Sequence, residues 1–285
     1  VFCFNQTYKG DKELAELLRN KKFRQAMSLA INRKKLNNLI YYGQGAPRQA
    51  TVHPDTPGFK KEWSQAYAEF NPEKAKTLLN ELGLDKKNNA GWRLGEDGEP
   101  ISINLIVNKG AAWAKMTELV RDYWRDVGIK VNMKMSGWNN LMNTVQSNKL
   151  PMFVWVLDRV HGKAFVSSKG SWLNPSFWFG PYGPGWGNWF NSDGEEGVEP
   201  PAQIKALKKK ADQLPFVSPE RQKEIIQDIG DAFAENLWAV GTVGLIGKPV
   251  IAKKALKNVR KEAYADNISV GGIRNNWLEQ FYWEK

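Results

Sequence analysis

The apolar positions of this chain fall into runs whose period shifts along the sequence, and the shifts mark its elements. VFCFN at the amino end is short and apolar, the pattern of a buried strand. Leu14, Leu17 and Leu18, then Phe23, Met27, Ala30 and Ile31, recur at helical spacing with a break near Asn20. GQGAPRQATVHPDTPGF is dense in Gly and Pro and predicts an irregular loop. At Asn71-Pro72-Glu73 a helix opens, because Asn supplies a capping oxygen and Pro sits at the first position, where its missing N–H costs nothing. Gly83 ends it by adopting the left-handed conformation.

Further on, 92–100 reads as a turn-rich hairpin region and ISINLIVNK alternates like a strand. Met116, Leu119, Val120, Tyr123, Trp124 and Val127 make one face of a helix over 111–127, stopped by Gly128. IKVNMKM alternates again, WNNLMNTVQS is a short helix, and KLPMFVWVLDRVHGK is an apolar strand that runs out on Asp158. Helix and strand in alternation predict a mixed α/β (α+β) fold, a mixed, partly parallel sheet flanked by helices. Such sheets hold ligands beyond the carboxyl ends of their strands, and Asp158 falls at such an end. A strand that only fills a core needs no carboxylate at its tip, so Asp158 is a candidate ligand contact. The competing reading is an internal ion pair with Arg159. From Phe165 to Pro201, Gly and Pro are too frequent for regular structure; Ser218-Pro219-Glu220 then caps a helix reaching about Leu237. WAVGTVGLIGKPVIA reads as a buried strand-and-turn segment.

Composition narrows the chemistry. The 285 residues carry 41 Lys+Arg against 30 Asp+Glu, a formal charge of +11. The basic residues are dispersed, in NRKK, LKKK, AKKALK and VRK, which favours a solvated basic surface over a nucleic-acid footprint. Nucleic-acid binding stays as the alternative, and steep salt dependence would distinguish it. No apolar run reaches membrane-spanning length and VFCFNQTYKG shows no signal-peptide pattern; it lacks a starting Met and opens in mid-strand, so the chain is expected to be processed or cut from something longer. Cys3 is the only cysteine, which excludes an internal disulfide and a Cys-based zinc cluster, and His53 and His161 lie far apart in sequence. Neither a metal nor a cofactor is expected.

Enzyme patterns are absent. GTVGLIGKP lacks phosphate-loop spacing and has Pro249 where Ser or Thr would bind magnesium. YGPGWGN is a turn cluster, and Glu195-Glu196, flanked by glycines, reads as a solvated turn. His161 and Cys3 show no arrangement that identifies a nucleophile.

The aromatic content points instead to binding. Of 13 tryptophans, Trp63, Trp113, Trp124 and Trp283 read as packing residues. Trp155, Trp172, Trp178, Trp186 and Trp189 lie on the strand before Asp158 or in the loop after it, and long loops carry function. Flat aromatic faces stack on sugar rings or grip peptide side chains at little entropy cost. Trp155 is therefore the leading ligand-binding candidate, joined by Asp158, Trp138, Trp186 and Asn5. A carbohydrate-binding accessory module of an enzyme would share the tryptophans, but would read as an all-β sandwich.

Three stretches in order, FRQAMSLAINRKKLNNLIYYGQGAP, FNPEKAKTLLNELGL and ELVRDYWRDVGIKVNMKMSGWNNL, resemble the family 5 (cluster C, oligopeptide-binding class) solute-binding proteins of ABC transporters. The resemblance implies one lobe of a class II periplasmic-binding-protein fold, in which two α/β lobes close by hinge motion over a ligand. VFCFN resembles the strand that opens the second lobe. Residues 1–237 would then be that lobe and 238–285 the return to the first, with the amino-terminal part of the full protein outside the chain. It further implies a monomer, periplasmic or lipid-anchored, that delivers its ligand to an ABC permease. In peptide-binding members an Asp after this aromatic-rich strand pairs with the ligand's α-amino group, and Asp158 occupies that place. DRVHGKAFVSS departs from the family's acidic, Pro-containing run just afterwards. The stretch from GEEGVEPP to AENLWAVGTVG is closer to oligosaccharide-binding members, so oligopeptide and oligosaccharide both stand, with the aromatic content favouring sugar.

Overall fold

The computed structural model describes residues 1–109, 114–176, 180, 182–247, 251–259 and 280–283. Strand β1 (Phe2–Phe4) is followed by helices α1 (Lys12–Arg19), α2 (Lys21–Leu29) and α3 (Arg33–Tyr41). A short strand β2 (Ala46–Pro47) precedes α4 (Lys61–Gln65) and α5 (Pro72–Asn80). The alternating section runs β3 (Ser102–Asn108), α6 (Ala114–Asp126), β4 (Lys130–Ser136), α7 (Trp138–Gln146) and β5 (Met152–Val154). Helices α8 (Gly162–Ser167), α9 (Pro184–Asn191), α10 (Ala202–Gln213) and α11 (Pro219–Asn236) follow. The short strands β6 (Ala239–Val240), β7 (Val243–Gly244), β8 (Leu256–Lys257) and β9 (Tyr282–Trp283) complete the order.

One five-stranded sheet, β4-β3-β5-β1-β6, organises these elements. β3 pairs in parallel with β4, from Ser102↔Lys130 to Asn108↔Ser136, and in parallel with β5. β1 runs antiparallel to both β5 and β6. Because side chains alternate across a strand, each strand feeds two cores. Phe2, Phe4, Ile103, Leu105, Val107, Met152 and Val154 face the layer of α1, α2, α5 and α6. Cys3, Phe153 and Trp155 face α7 to α11. The result is the α/β sheet flanked by helices that the sequence periodicity predicts.

Local chemistry sets the helix ends. Asn71 caps α5 through Lys74 N–H, with Pro72 in the first turn, and Ser218 caps α11 through Arg221 N–H. Gly83 takes φ +80° beyond α5. Arg93 lies inside, its Nε donating to Val127 O at 2.7 Å and its Nη1 to Asn80 Oδ1 at 2.6 Å and to Leu84 O. Its charge thus sits among carbonyls that end two helices, where the macrodipole favours a cation.

Several expectations change. The 165–201 segment, expected to be irregular, holds the end of α8 and all of α9, and Pro184 fits because it occupies the first turn. Its glycines serve close packing: a Cβ on Gly185 would lie 2.8 Å from Val198 Cγ2 and 3.0 Å from Thr7 Cβ. GQGAPRQ, expected as loop, contributes β2, which pairs with β7. Trp63 and Trp124 are buried, whereas Trp283, expected as a packing residue, is 61% exposed on β9. Trp113, Trp178 and Pro249 lie outside the described residues. The boundary expected at 237/238 falls just ahead of β6, which joins the same sheet beside β1.

The turn after β6 is tightly held. Arg33 Nε donates to Gly241 O at 2.9 Å, and Gly241 N–H donates to Gln49 Oε1 at 2.8 Å. A Cβ on Gly241 would lie 2.4 Å from Ala50 N and 2.6 Å from Arg48 O, both backbone atoms that cannot swing aside.

Two predictions follow from this packing. Arg93→Met strips donors from buried helix-end carbonyls and is expected to cost about 3 kcal/mol in urea denaturation, since each orphaned group costs roughly 1–3 kcal/mol. Arg93→Lys should recover only part of this, because an ammonium cannot reproduce the fork. Gly241→Ala is expected to cost about 1–3 kcal/mol by overpacking, read as a lower urea midpoint at unchanged m-value.

Candidate functional site

The parallel strands β3, β4 and β5 share one carboxyl edge, and two of the sequence candidates meet there. Gly137 turns the chain directly from β4 into α7, which places Trp138 at the first helical position, over the sheet end. Beyond β5 the chain reaches Trp155, whose N–H donates to Val1 O at 3.1 Å. Trp155 is two residues from Phe153 and therefore shares its face of the sheet; their rings stack at 6.0 Å and 11°. Trp172 also stacks on Trp155, at 6.3 Å and 17°. Trp138 lies 4.8 Å from Trp155, tilted by 43°.

Exposure separates these rings by role. Trp155 is 7% exposed and Trp172 2%, whereas Trp138 is 39% exposed. Met135, near the end of β4, is also exposed. The arrangement is a staircase of aromatic rings: three packed inside, one presenting its surface. Chemically it offers a rigid apolar platform backed by further aromatic area, which suits a flat apolar face of a ligand.

The other candidates fall elsewhere. Asn5 is buried and its amide is fully committed. Its Nδ2 donates to Asn148 Oδ1 and Leu150 O, both at 2.8 Å, and its Oδ1 accepts from Thr7 N–H at 2.9 Å, with the Thr7 hydroxyl 2.8 Å away. Thr7 Oγ1 in turn accepts from Gly185 N–H at 2.9 Å. Asn5 therefore ties the end of β1 to the α7–β5 turn and to α9, a positioning role. Trp186 is buried against Tyr182 at 6.4 Å, in a second aromatic group where Tyr182 stacks on Trp238 and meets Phe233 edge-on. Burial pushes the Tyr182 phenol up strongly, and its O–H donates to Leu173 O.

Asp158 lies on the loop after β5, buried to 3% exposure, with its carbonyl accepting from Ser171 Oγ at 3.3 Å. Arg159 follows at φ +53°, a left-handed value uncommon for a side-chain-bearing residue. Sequence reasoning did not foresee the support of this loop. His53 N–H donates to Val160 O at 2.7 Å, the Thr56 hydroxyl donates to the same oxygen at 3.1 Å, and Gly162 N–H donates to Thr56 Oγ1 at 3.0 Å. The two histidines thus come to one junction, across a sequence separation that no local pattern could signal.

A recess of about 240 Å³ is lined by Trp92, Arg121, Asp122, Arg125, Lys130, Val131 and Asn132. It sits at the amino end of β4, opposite to the aromatic staircase, and Arg121 there is already paired with Asp122 at 3.1 Å. Among the described residues no group of three or more His, Cys, Asp or Glu is placed to hold a metal ion.

Known proteins share this architecture. The solved structure of an oligopeptide-binding protein, OppA, superposes with a TM-score of 0.79 and 29% identity over 100% of this chain and 46% of that one. The periplasmic binding protein MelB of Agrobacterium fabrum, in complex with stachyose, superposes at 0.69 with 18% identity, over 85% of this chain and 37% of that one, a likeness of fold. A probable ABC transporter-binding protein of Deinococcus radiodurans is 32% identical over 133 residues, 44% of this chain and 21% of the relative. The chain thus spans less than half the length of these three proteins. Residues 1–168 match the model of the bacterial extracellular solute-binding proteins, family 5 Middle, and the chain belongs to that family.

Proposed function

We propose that the chain is the ligand-capturing part of an extracytoplasmic solute-binding protein serving an ABC importer. Its ligand is an oligosaccharide, bound at the carboxyl edge of β3, β4 and β5 without chemistry and passed to the permease. The observation that carries the reading is the aromatic staircase ending in the half-exposed Trp138. Trp138 makes the contact; Trp155 and Trp172 hold it from behind. Family membership supports the capture role, and the stachyose complex of MelB supports a sugar in this fold. On this reading residues 1–237 form the second lobe and 238–285 the return to the first, with β6 pairing beside β1.

A second reading has its own observation. Asp158 is a buried acid on the loop beyond β5, and the likeness to OppA is over the whole chain. A peptide's α-ammonium would find a partner charge there.

The basic surface does not favour nucleic acid as a partner. Lys21, Lys60, Lys205 and Lys210 are paired with Glu235, Asp231, Glu199 and Asp228 on different elements, so the positive charge is dispersed and partly neutralised. A nucleic-acid track needs cations in register along a groove.

Calorimetric titration of the complete protein with cello- and manno-oligosaccharides and with di- to pentapeptides, at two salt concentrations, separates the readings. Sugar binding that weakens about thirtyfold in Trp138→Ala, the ~2 kcal/mol scale of a well-packed tryptophan contact, and that persists in Asp158→Asn is the expected result. Peptide binding abolished by Asp158→Asn would replace sugar with peptide. Trp155→Ala is expected to lower both sugar affinity and the urea midpoint, because that ring is a packing residue first.

A further inference from the structure

We infer that His53 and Thr56 form an acid-released latch that positions the Asp158 loop at the edge of the candidate cleft. Thr56 holds the loop by two contacts of its hydroxyl, giving a hydrogen bond to Val160 O at 3.1 Å and taking one from Gly162 N–H at 3.0 Å. His53 N–H adds the shortest contact to Val160 O, at 2.7 Å. The loop needs such a hold, since Arg159 is in the left-handed region at φ +53°.

The latch is built on a turn whose geometry depends on the charge of one imidazole. Thr56 N–H donates to His53 O at 2.9 Å, and Asp55 N–H donates to His53 Nδ1 at 3.2 Å. Nδ1 therefore serves as an acceptor, which only the neutral ring with its proton on Nε2 allows. Protonation turns Nδ1 into a donor. The Asp55 N–H then faces an N–H, and the ring turns toward the Asp55 carboxylate, whose Oδ2 lies 3.7 Å from Nδ1. The turn that presents the Thr56 hydroxyl is rebuilt around a different hydrogen bond.

The surroundings hold the ring neutral near pH 7. Burial lowers the His53 pKa below 6.5, Asp55 opposes this, and Arg48 and His161 add to the lowering. The unfolded chain therefore binds more protons at His53 than the folded one between 6.5 and the lower folded value. Stability from the neutral ring is present above pH 6.5 and is lost as pH falls through that window. Asp55, Arg48 and His161 are charged or titratable groups that act on the ring.

Amide hydrogen exchange of the complete protein without ligand, corrected for intrinsic chemical exchange, reads the latch. It therefore reports independently of whether sugar or peptide binds, although the importance of the loop rests on the binding reading. Protection of the Gly162 amide is expected to fall at least tenfold between pH 7.5 and 5.0. His53→Asn keeps an acceptor near the Nδ1 position but cannot take a proton, and should make that protection independent of pH. Thr56→Val should lower protection at every pH. His161→Asn should keep the pH dependence and move its midpoint up toward 6.5. Constant protection in the unsubstituted protein, persistence of the dependence in His53→Asn, or its disappearance in His161→Asn overturns the assignment.

Discussion

The backbone pairing of β1 with β5 is the constraint from which the rest of the molecule takes its orientation. It aligns Phe2 with Val154, Cys3 with Phe153 and Phe4 with Met152. Strand alternation then sends one set of side chains to each helical layer, and a slip of one residue would reverse both. Trp155 inherits its direction from Phe153 by this rule. The aromatic staircase is thus a product of register: β5 aims Trp155, the β4–α7 turn aims Trp138, and the parallel β3 ladder holds the two strands on one edge.

A second theme is the use of arginine as an interior clamp. Arg24 donates to Asn236 O and Leu18 O, and Arg33 donates to Gly241 O, Ser28 O and Ala68 O. These partners are carbonyls, and burial lowers the pKa of Arg24 to about 10 and of Arg33 to about 9. Both stay charged at neutral pH. A guanidinium can satisfy several diverging carbonyls at once, which makes it suited to the ends and corners that helices leave bare. Part of the chain's positive charge is therefore structural and faces inward.

The helix–strand alternation of the middle section was legible because its periods are long and its stops, Gly83 and Gly128, are chemically explicit. The segment 165–201 was less so: glycine frequency signals turns in isolation, yet at Gly185 the same residue type marks close contact between elements. Among the site candidates, residue type identified the aromatic strand, and Trp138 and Trp155 do adjoin. Which of them is exposed depends on the packing of Trp172 and α7, information that no single stretch contains. Asn5 is buried in hydrogen bonds and Trp186 in an aromatic group, placements that residue type alone does not indicate. The grip of Thr56 on Val160 joins residues whose numbers differ by 104 and leaves no local trace.

The central place of β1 also governs the order in which this molecule can form. Its two neighbours in the sheet, β5 and β6, follow it by about 150 and 240 residues of chain, so its ladder closes late. Until then FCF is an apolar segment with both edges unpaired, while α1 to α3 and the β3–α6–β4 unit can assemble from nearer contacts. Loop closure over such spans is entropically costly and slows folding. An exposed apolar strand is also a template for mispairing. Completion of the β1 ladder therefore waits on residues from the middle and the carboxyl-terminal third of the chain.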